Sequence, residues 1–319
     1  IHHRGNHHCR WGISTGITHA MIDIIRLLLM WTHPGSLILV ILLYSLGTGI
    51  ADFLGTPVDA SANLLGMAVS VFLVLGSQLL DLFFRTYPPE TALPIQNSLS
   101  EKKPDLLLIG FRRLVLQLAI SALTGAAFFT ILLITQRRIE PASAFILAVM
   151  FLVSYFYSVP PLQLSRKSLG EVVEAVLITN LIPAFAFLLQ TGEIHRQLLM
   201  LTIPLTALML AMRLAMALPA YGRDVARERM NMMTGMGWQR GMRLHNVLIL
   251  LAFFLLTLAL LQGLPWSLYW PALLVMPVGL YEIFQIRQIA SGIKPNWNIL
   301  NLTSAALVGL TAYLITLSL

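Results

Sequence analysis

The chain has 319 residues, of which 57% are hydrophobic and only 11% charged. A soluble globular domain carries about 25% charged residues, and no soluble fold has the interior to hide this excess, so a soluble enzyme or carrier is excluded. The formal charge of +7 and a pI near 9.9 point to membrane topology and away from nucleic acid as a partner, because the basic residues of a membrane protein report its orientation.

The first residues place His2, His3, His7 and His8 beside Cys9, a metal tract in composition only, without the ligand spacing of a zinc site. Residues 22–31, with Asp23 and Arg26 among apolar side chains, read as an amphipathic helix on the inner membrane face. Residues 1–36 are therefore expected to form a tail and an interfacial helix, and residues 37–319 a single transmembrane domain. The one cysteine excludes an internal disulfide.

Apolar runs close to the length of about 20 residues that spans hydrocarbon fall at 37–54, 64–84, 115–135, 142–158, 170–190, 199–218, 247–261, 268–284 and 299–317. They predict an all-α membrane protein with nine transmembrane helices. With the N-terminus inside, the inner segments hold Arg4, Arg10, Arg26, Arg85, Lys102, Lys103, Arg112, Arg113, Arg166, Lys167, Arg223, Arg227, Arg229, Arg240, Arg243, Arg287 and Lys294, and the outer ones only Arg137, Arg138 and Arg196. This asymmetry makes the N-terminus and the longer inner loops cytoplasmic. Arg213 is left within the sixth span, where it either snorkels inward or pairs with Asp224 or a ligand phosphate.

Two inner loops, 85–113 and 219–243, are long and polar and form the candidate functional face, since function concentrates on loops held by a rigid scaffold. The first contains Pro88, Pro89, Pro94 and Pro104 around Asn97, Ser98 and Ser100, which predicts irregular structure or short capped helices. The second reads as a helix continuing past the membrane.

The most specific segment lies at the inner end of the fourth span. Residues 155–171 run Tyr-Phe-Tyr-Ser-Val-Pro-Pro-Leu-Gln-Leu-Ser-Arg-Lys-Ser-Leu-Gly-Glu. The stretch 157–164, followed by Arg166, Lys167, Gly170 and Glu171, resembles the Tyr-Ser-x-Pro-Pro-Leu-x-Leu stretch of the UbiA superfamily of intramembrane prenyltransferases, most of all the menaquinone and chlorophyll branches. The resemblance covers nearly the whole chain, including the helix count and the long inner loops after helices two and six. It implies a UbiA-type bundle with a central cavity. It also implies transfer of a prenyl group from its diphosphate to an aromatic, quinone or tetrapyrrole acceptor, with Mg2+ held by two aspartate-rich motifs.

Those motifs are thinned here. The first, Asn-Asp-x-x-Asp-x-x-x-Asp in the family, is matched by Ser77, Gln78, Asp81 and Arg85; the second, Asp-x-x-x-Asp, by Ala220 and Asp224, with Arg229 at the place of a later Lys and Gly237 at that of a later Gly. Glu228 and Asn231 depart from the family's Gly and Thr. The resemblance leaves Asp81 and Asp224 as catalytic and metal-binding candidates and Tyr157 as the residue that orients substrate or stabilises an allylic cation. Arg85, Arg166, Lys167, Arg223, Arg227 and Arg229 become the cations for a diphosphate, because guanidinium groups bind phosphate oxygens without a metal. Arg85 also competes with any metal for Asp81.

Two functional readings follow. One is a divergent prenyltransferase homologue whose Mg2+-dependent transfer is weakened or lost. The other is a non-catalytic subunit of a larger membrane complex, holding a quinone, a pigment or a lipid in the old cavity with no metal. The partners implied are membrane lipid, an isoprenoid or isoprenyl diphosphate, and neighbouring membrane subunits.

Overall fold

A computed structural model describes residues 34–85 and 106–319. Among these residues, nine helices are long and apolar enough to cross a membrane. They are α1 (Pro34–Phe53), α2 (Ala60–Arg85), α3 (Leu106–Thr135), α4 (Pro141–Ser158), α5 (Gly170–Thr191), α6 (Arg196–Ala217), α7 (Trp238–Leu261), α8 (Trp266–Ala290) and α9 (Trp297–Leu317). The apolar runs located all nine. The expected interfacial helix at 22–31, the histidine tract and the proline-rich stretch at 88–104 lie outside the described residues.

The bundle closes on itself. α2 packs on α3 and α4, α1 on α5 and α2, α6 on α7, and α9 on α6, α8 and α1. Between membrane helices the apolar effect gives little preference for protein over lipid, so close backbone approach supplies much of the association. Gly47 shows this at the α1–α5 crossing: a Cβ there would stand 2.2 Å from the Pro183 carbonyl oxygen. Pro183 has no N–H to give the helix ladder, and α5 passes through a π-helical turn at Leu177–Leu181 just before it. In that turn Thr179 and Asn180 bond Thr206 of α6 at 2.8 and 2.6 Å. Large apolar side chains such as Ile38, Phe145 and Leu302 stand exposed on the outside of the bundle, as a lipid-facing surface requires.

A second polar cluster sits inside the bundle. His245 Nε2 of α7 lies 3.0 Å from Glu282 Oε1 of α8, and the Ser304 hydroxyl of α9 donates to that same oxygen. All three residues are fully buried, so the cluster pins three helices with hydrogen bonds that have no solvent to compete with them.

The helix ends differ from the sequence expectation. α7 begins at Trp238, nine residues before the apolar run, because Arg240, Arg243 and His245 interrupt the hydropathy without interrupting the helix. α3 already starts at Leu106, so Arg112 and Arg113 belong to a helix and not to the loop; the Arg112 guanidinium lies 5.1 Å from the Phe83 ring centre. The second loop is not one continuous helix. α6 is prolonged through Leu218–Ala220 and Tyr221–Ala226, but the chain then turns, with Glu228 at φ 52°, and resumes as Met232–Met236. Asn231 caps that short helix by accepting the Thr234 N–H at 2.8 Å, and Gly237 at φ 85° ends it.

Candidate functional site

The segment with the family-like motif is the hub of the loop face. After α4 the chain makes a 3-10 turn at Leu164–Arg166, and two of its side chains reach the end of α2. The Ser165 hydroxyl donates to Asp81 Oδ1, and Arg166 Nη2 donates to the Phe84 carbonyl oxygen at 2.6 Å. The latter satisfies a carbonyl that the helix end leaves without a partner. On the other side, Glu171 Oε1 accepts the Met232 N–H at 3.1 Å, and a Cβ on Gly235 would stand 2.6 Å from the Ser168 hydroxyl. The turn is thus clasped between α2 and the second loop.

Asp81 and Arg85 share one face of α2 at i,i+4 spacing and form an ion pair, Arg85 Nε to Asp81 Oδ2, of 2.6 Å. With Ser165 on the other oxygen, both carboxylate oxygens of Asp81 are engaged. The matched positions that lack a carboxylate join helices instead. Ser77 Oγ lies 2.8 Å from Ser158 Oγ and 3.2 Å from the Ser154 carbonyl oxygen of α4, while Gln78 Nε2 donates to Ser36 Oγ of α1 at 2.5 Å.

Tyr157 donates its hydroxyl to Glu174 Oε2 at 3.2 Å, and Glu174 Oε1 is ion-paired with Arg213. Arg213 is therefore paired neither with Asp224 nor simply with headgroups: its partner is an acid of α5, at the same depth in the bundle. Glu174 is a site residue that the motif comparison passed over. The signal for it was present, since an ionisable residue within an apolar span marks a functional or paired position.

Asp224 is held more loosely. Asn231 Nδ2 donates to its Oδ2 at 3.2 Å, and Arg229 Nη1 stands 3.9 Å from Oδ1. Arg166, Lys167, Arg223, Arg227 and Arg229 are exposed. Arg166 lies where Asp81, Arg85 and Arg229 all act on it. Desolvation first, with the like charges of Arg85 and Arg229 adding and Asp81 opposing, pushes its guanidinium below the ordinary range. An arginine does not lose its proton at such a site, so Arg166 remains a cation. The structure thus joins Asp81, Arg85, Arg166 and Arg229 in one electrostatic neighbourhood, and Tyr157, hydrogen-bonded to Glu174, feels the charges of Asp81 and Arg85 as well as that of Arg213.

Magnesium prefers octahedral oxygen coordination. Among the described residues no group of three or more His, Cys, Asp or Glu side chains could hold a metal ion. An ion at Asp81 would have to displace the Arg85 guanidinium or the Ser165 hydroxyl. These residues do not fit a preformed metal centre, and the cations around them, Arg166 and Arg229 among them, are suited to phosphate oxygens.

A bundle of nine membrane helices with an acid and guanidinium cluster at one end defines the class of protein, and comparison with solved structures narrows it. A UbiA homolog from Archaeoglobus fulgidus bound to DMAPP and Mg2+ matches with a TM-score of 0.62 at 16% identity, over 90% of this chain and 98% of that one. One bound to GPP and Mg2+ matches with the same TM-score and identity, over 90% and 99%; one bound to Cd2+ has a TM-score of 0.58 at 15% identity. No protein-family model matches the sequence, and no curated protein is similar to it. This chain has the fold of the UbiA homologues, an integral multi-pass membrane bundle, as the motif at 157–171 implied.

Proposed function

We propose that this chain is a divergent member of the UbiA superfamily that binds an isoprenyl diphosphate at the loop face and in which Mg2+-dependent prenyl transfer is weakened or lost. The observation that carries this reading is the Asp81–Arg85 pair at 2.6 Å, which sets a fixed guanidinium against the one acid remaining in the first motif. The similar A. fulgidus proteins bind DMAPP or GPP together with Mg2+. Here Arg85, Arg166 and Arg229 are the groups available to the diphosphate, with the isoprenoid tail among the apolar helices. Guanidinium groups bind phosphate oxygens strongly and in a bidentate manner, but they concentrate less charge at a leaving group than a divalent ion does. Slow or absent transfer follows, because preorganised charge at the leaving group carries much of such a rate. Mg2+, if transfer were retained, would have to arrive with the diphosphate and would add to the neutralisation of the leaving group; Tyr157, hydrogen-bonded to Glu174, lines the approach. On this reading the N-terminus and the loop face are cytoplasmic.

The test is binding of radiolabelled GPP to the purified protein, in Mg2+ and in EDTA. Binding is expected to survive EDTA and to fall at least about tenfold when Arg166 and Arg229 are both changed to Gln, from the loss of two charge-assisted contacts. Binding that requires Mg2+ and fails in Asp81→Ala, with turnover in the presence of an aromatic acceptor, would instead establish an intact metal-dependent enzyme.

A further inference from the structure

The face opposite the candidate site carries a second feature, independent of the proposed function. Between the far ends of α6 and α7 runs a groove of about 580 Å3, lined by Leu199, Ile203 and Pro204 from α6, by Leu258 from α7 and by Gln262 just after it, with Arg196 at its mouth. Leu199, Ile203 and Leu258 are exposed, so the walls are apolar and open toward lipid. From Arg196 to Pro204 the helix rises about 12 Å, less than half of the roughly 30 Å hydrocarbon core. The groove therefore lies within one leaflet.

Its mouth is charged. Among the described residues the ion pairs are Asp81 with Arg85, Asp59 with Arg138, Glu174 with Arg213, Asp224 with Arg229 and Glu282 with His245, and Arg196 is in none of them. On the same face Arg138 is neutralised by Asp59; Arg137 and Arg196 are in none of these pairs, and of the two it is Arg196 that lines the groove. Its Nη2 reaches across to the α7–α8 turn, 3.5 Å from where a Cβ on Gly263 would lie, so the guanidinium stands over the groove opening. Arg196 is also the first residue of α6, a helix of 22 residues, whose N-terminal dipole adds to the positive potential.

We propose that this groove is a binding site for an anionic phospholipid of the leaflet opposite the candidate site, with an acyl chain against Leu199, Ile203 and Leu258 and the phosphodiester on Arg196. Apolar walls alone accept any lipid tail, and an arginine alone accepts any anion. A molecule that joins both at this spacing, within one leaflet, is a phospholipid with net negative charge; free phosphate would leave the walls bare.

The full chain, purified and delipidated in mild detergent, is titrated with phosphatidylglycerol and with phosphatidylcholine of the same acyl chains, and bound lipid is counted by native mass spectrometry. Phosphatidylglycerol is expected to bind roughly fivefold more tightly than phosphatidylcholine, the preference that one basic residue near the surface confers. Arg196→Gln should remove that preference and Arg196→Lys should keep most of it. Ile203→Trp, which fills the groove, should weaken both lipids. Equal binding of the two lipids by the unchanged protein overturns the proposal. So does a preference that persists in Arg196→Gln, which would assign it to the basic loop face, and so does displacement of the lipid by inorganic phosphate alone.

Discussion

Asp81 and Asp224 stand at matching places, one at the end of α2 and one at the end of the prolonged α6, and they are held differently. Asp81 has a guanidinium 2.6 Å from one oxygen and a serine hydroxyl on the other, both from elements whose backbones are fixed. Asp224 has an amide at 3.2 Å and a guanidinium at 3.9 Å, and the side chain that carries the latter is 53% exposed. A partner one helical turn away on the same rigid helix loses little freedom on pairing, whereas Arg229 reaches back across the turn at Glu228. One acid has become part of the scaffold; the other is still available to a ligand.

The comparison extends to Glu174, whose side chain is 15% exposed and whose partner Arg213 is 14% exposed. Removing one member of a buried pair leaves an uncompensated charge, so Arg213→Met is expected to destabilise the protein by about 3 kcal/mol. Thermal unfolding in detergent measures this, and adding Glu174→Gln should restore most of the loss. If Arg213→Met were no worse than the loss of Asp224, burial of the partner guanidinium would not be what separates these acids.

A smaller contrast is expected between the aspartates themselves. Asp81→Asn should cost about 1.5 kcal/mol, the scale of a short charge-assisted hydrogen bond, and Asp224→Asn under about 0.5 kcal/mol, the scale of a pair whose guanidinium is 3.9 Å away and half-exposed. Equal losses in the same unfolding assay would erase the distinction between a scaffold acid and an available one.

The smallest effect belongs to an acid remote from both. Asp59, on the opposite face, is held below the usual carboxylate range by the Ser61 hydroxyl first, then by the Ala62 N–H and by Arg138. Because its folded value lies below the unfolded one, its contribution is complete above the unfolded value near pH 4 and is lost as pH falls through the folded one. Asp59→Asn should therefore lower Tm slightly above about pH 4 and flatten the acid limb below it, so that the two curves converge at acid pH. An acid limb that runs parallel to that of the unchanged protein would remove Asp59 from the account.

The nine spans were legible because the bilayer demands a length of apolar helix that few other structures need. Their ends were less so, since Arg240, Arg243 and His245 sit on a helix that outlasts its apolar run. Within the site, the competition of Arg85 for Asp81 was readable from i,i+4 spacing alone. The Arg213 partner was not, because Glu174 lies 39 residues away and meets it only through the packing of α5 on α6. The same holds for His245 with Glu282 and for Ser77 with Ser158: each chain segment carries half of a contact, and its own periodicity does not name the other half.

The serine pair also bears on redesign. Ser77 is 4% exposed and fully buried Ser158 donates its hydroxyl to the Ser77 carbonyl at 2.7 Å while meeting its hydroxyl at 2.8 Å. Placing Asn at position 77, as the resembled motif has it, would press a larger side chain against the Ser154 carbonyl and break the seam between α2 and α4. Three positions would have to change together, at 77, 158 and 85, before any one of them helped, so an engineer who replaces residues singly climbs before descending.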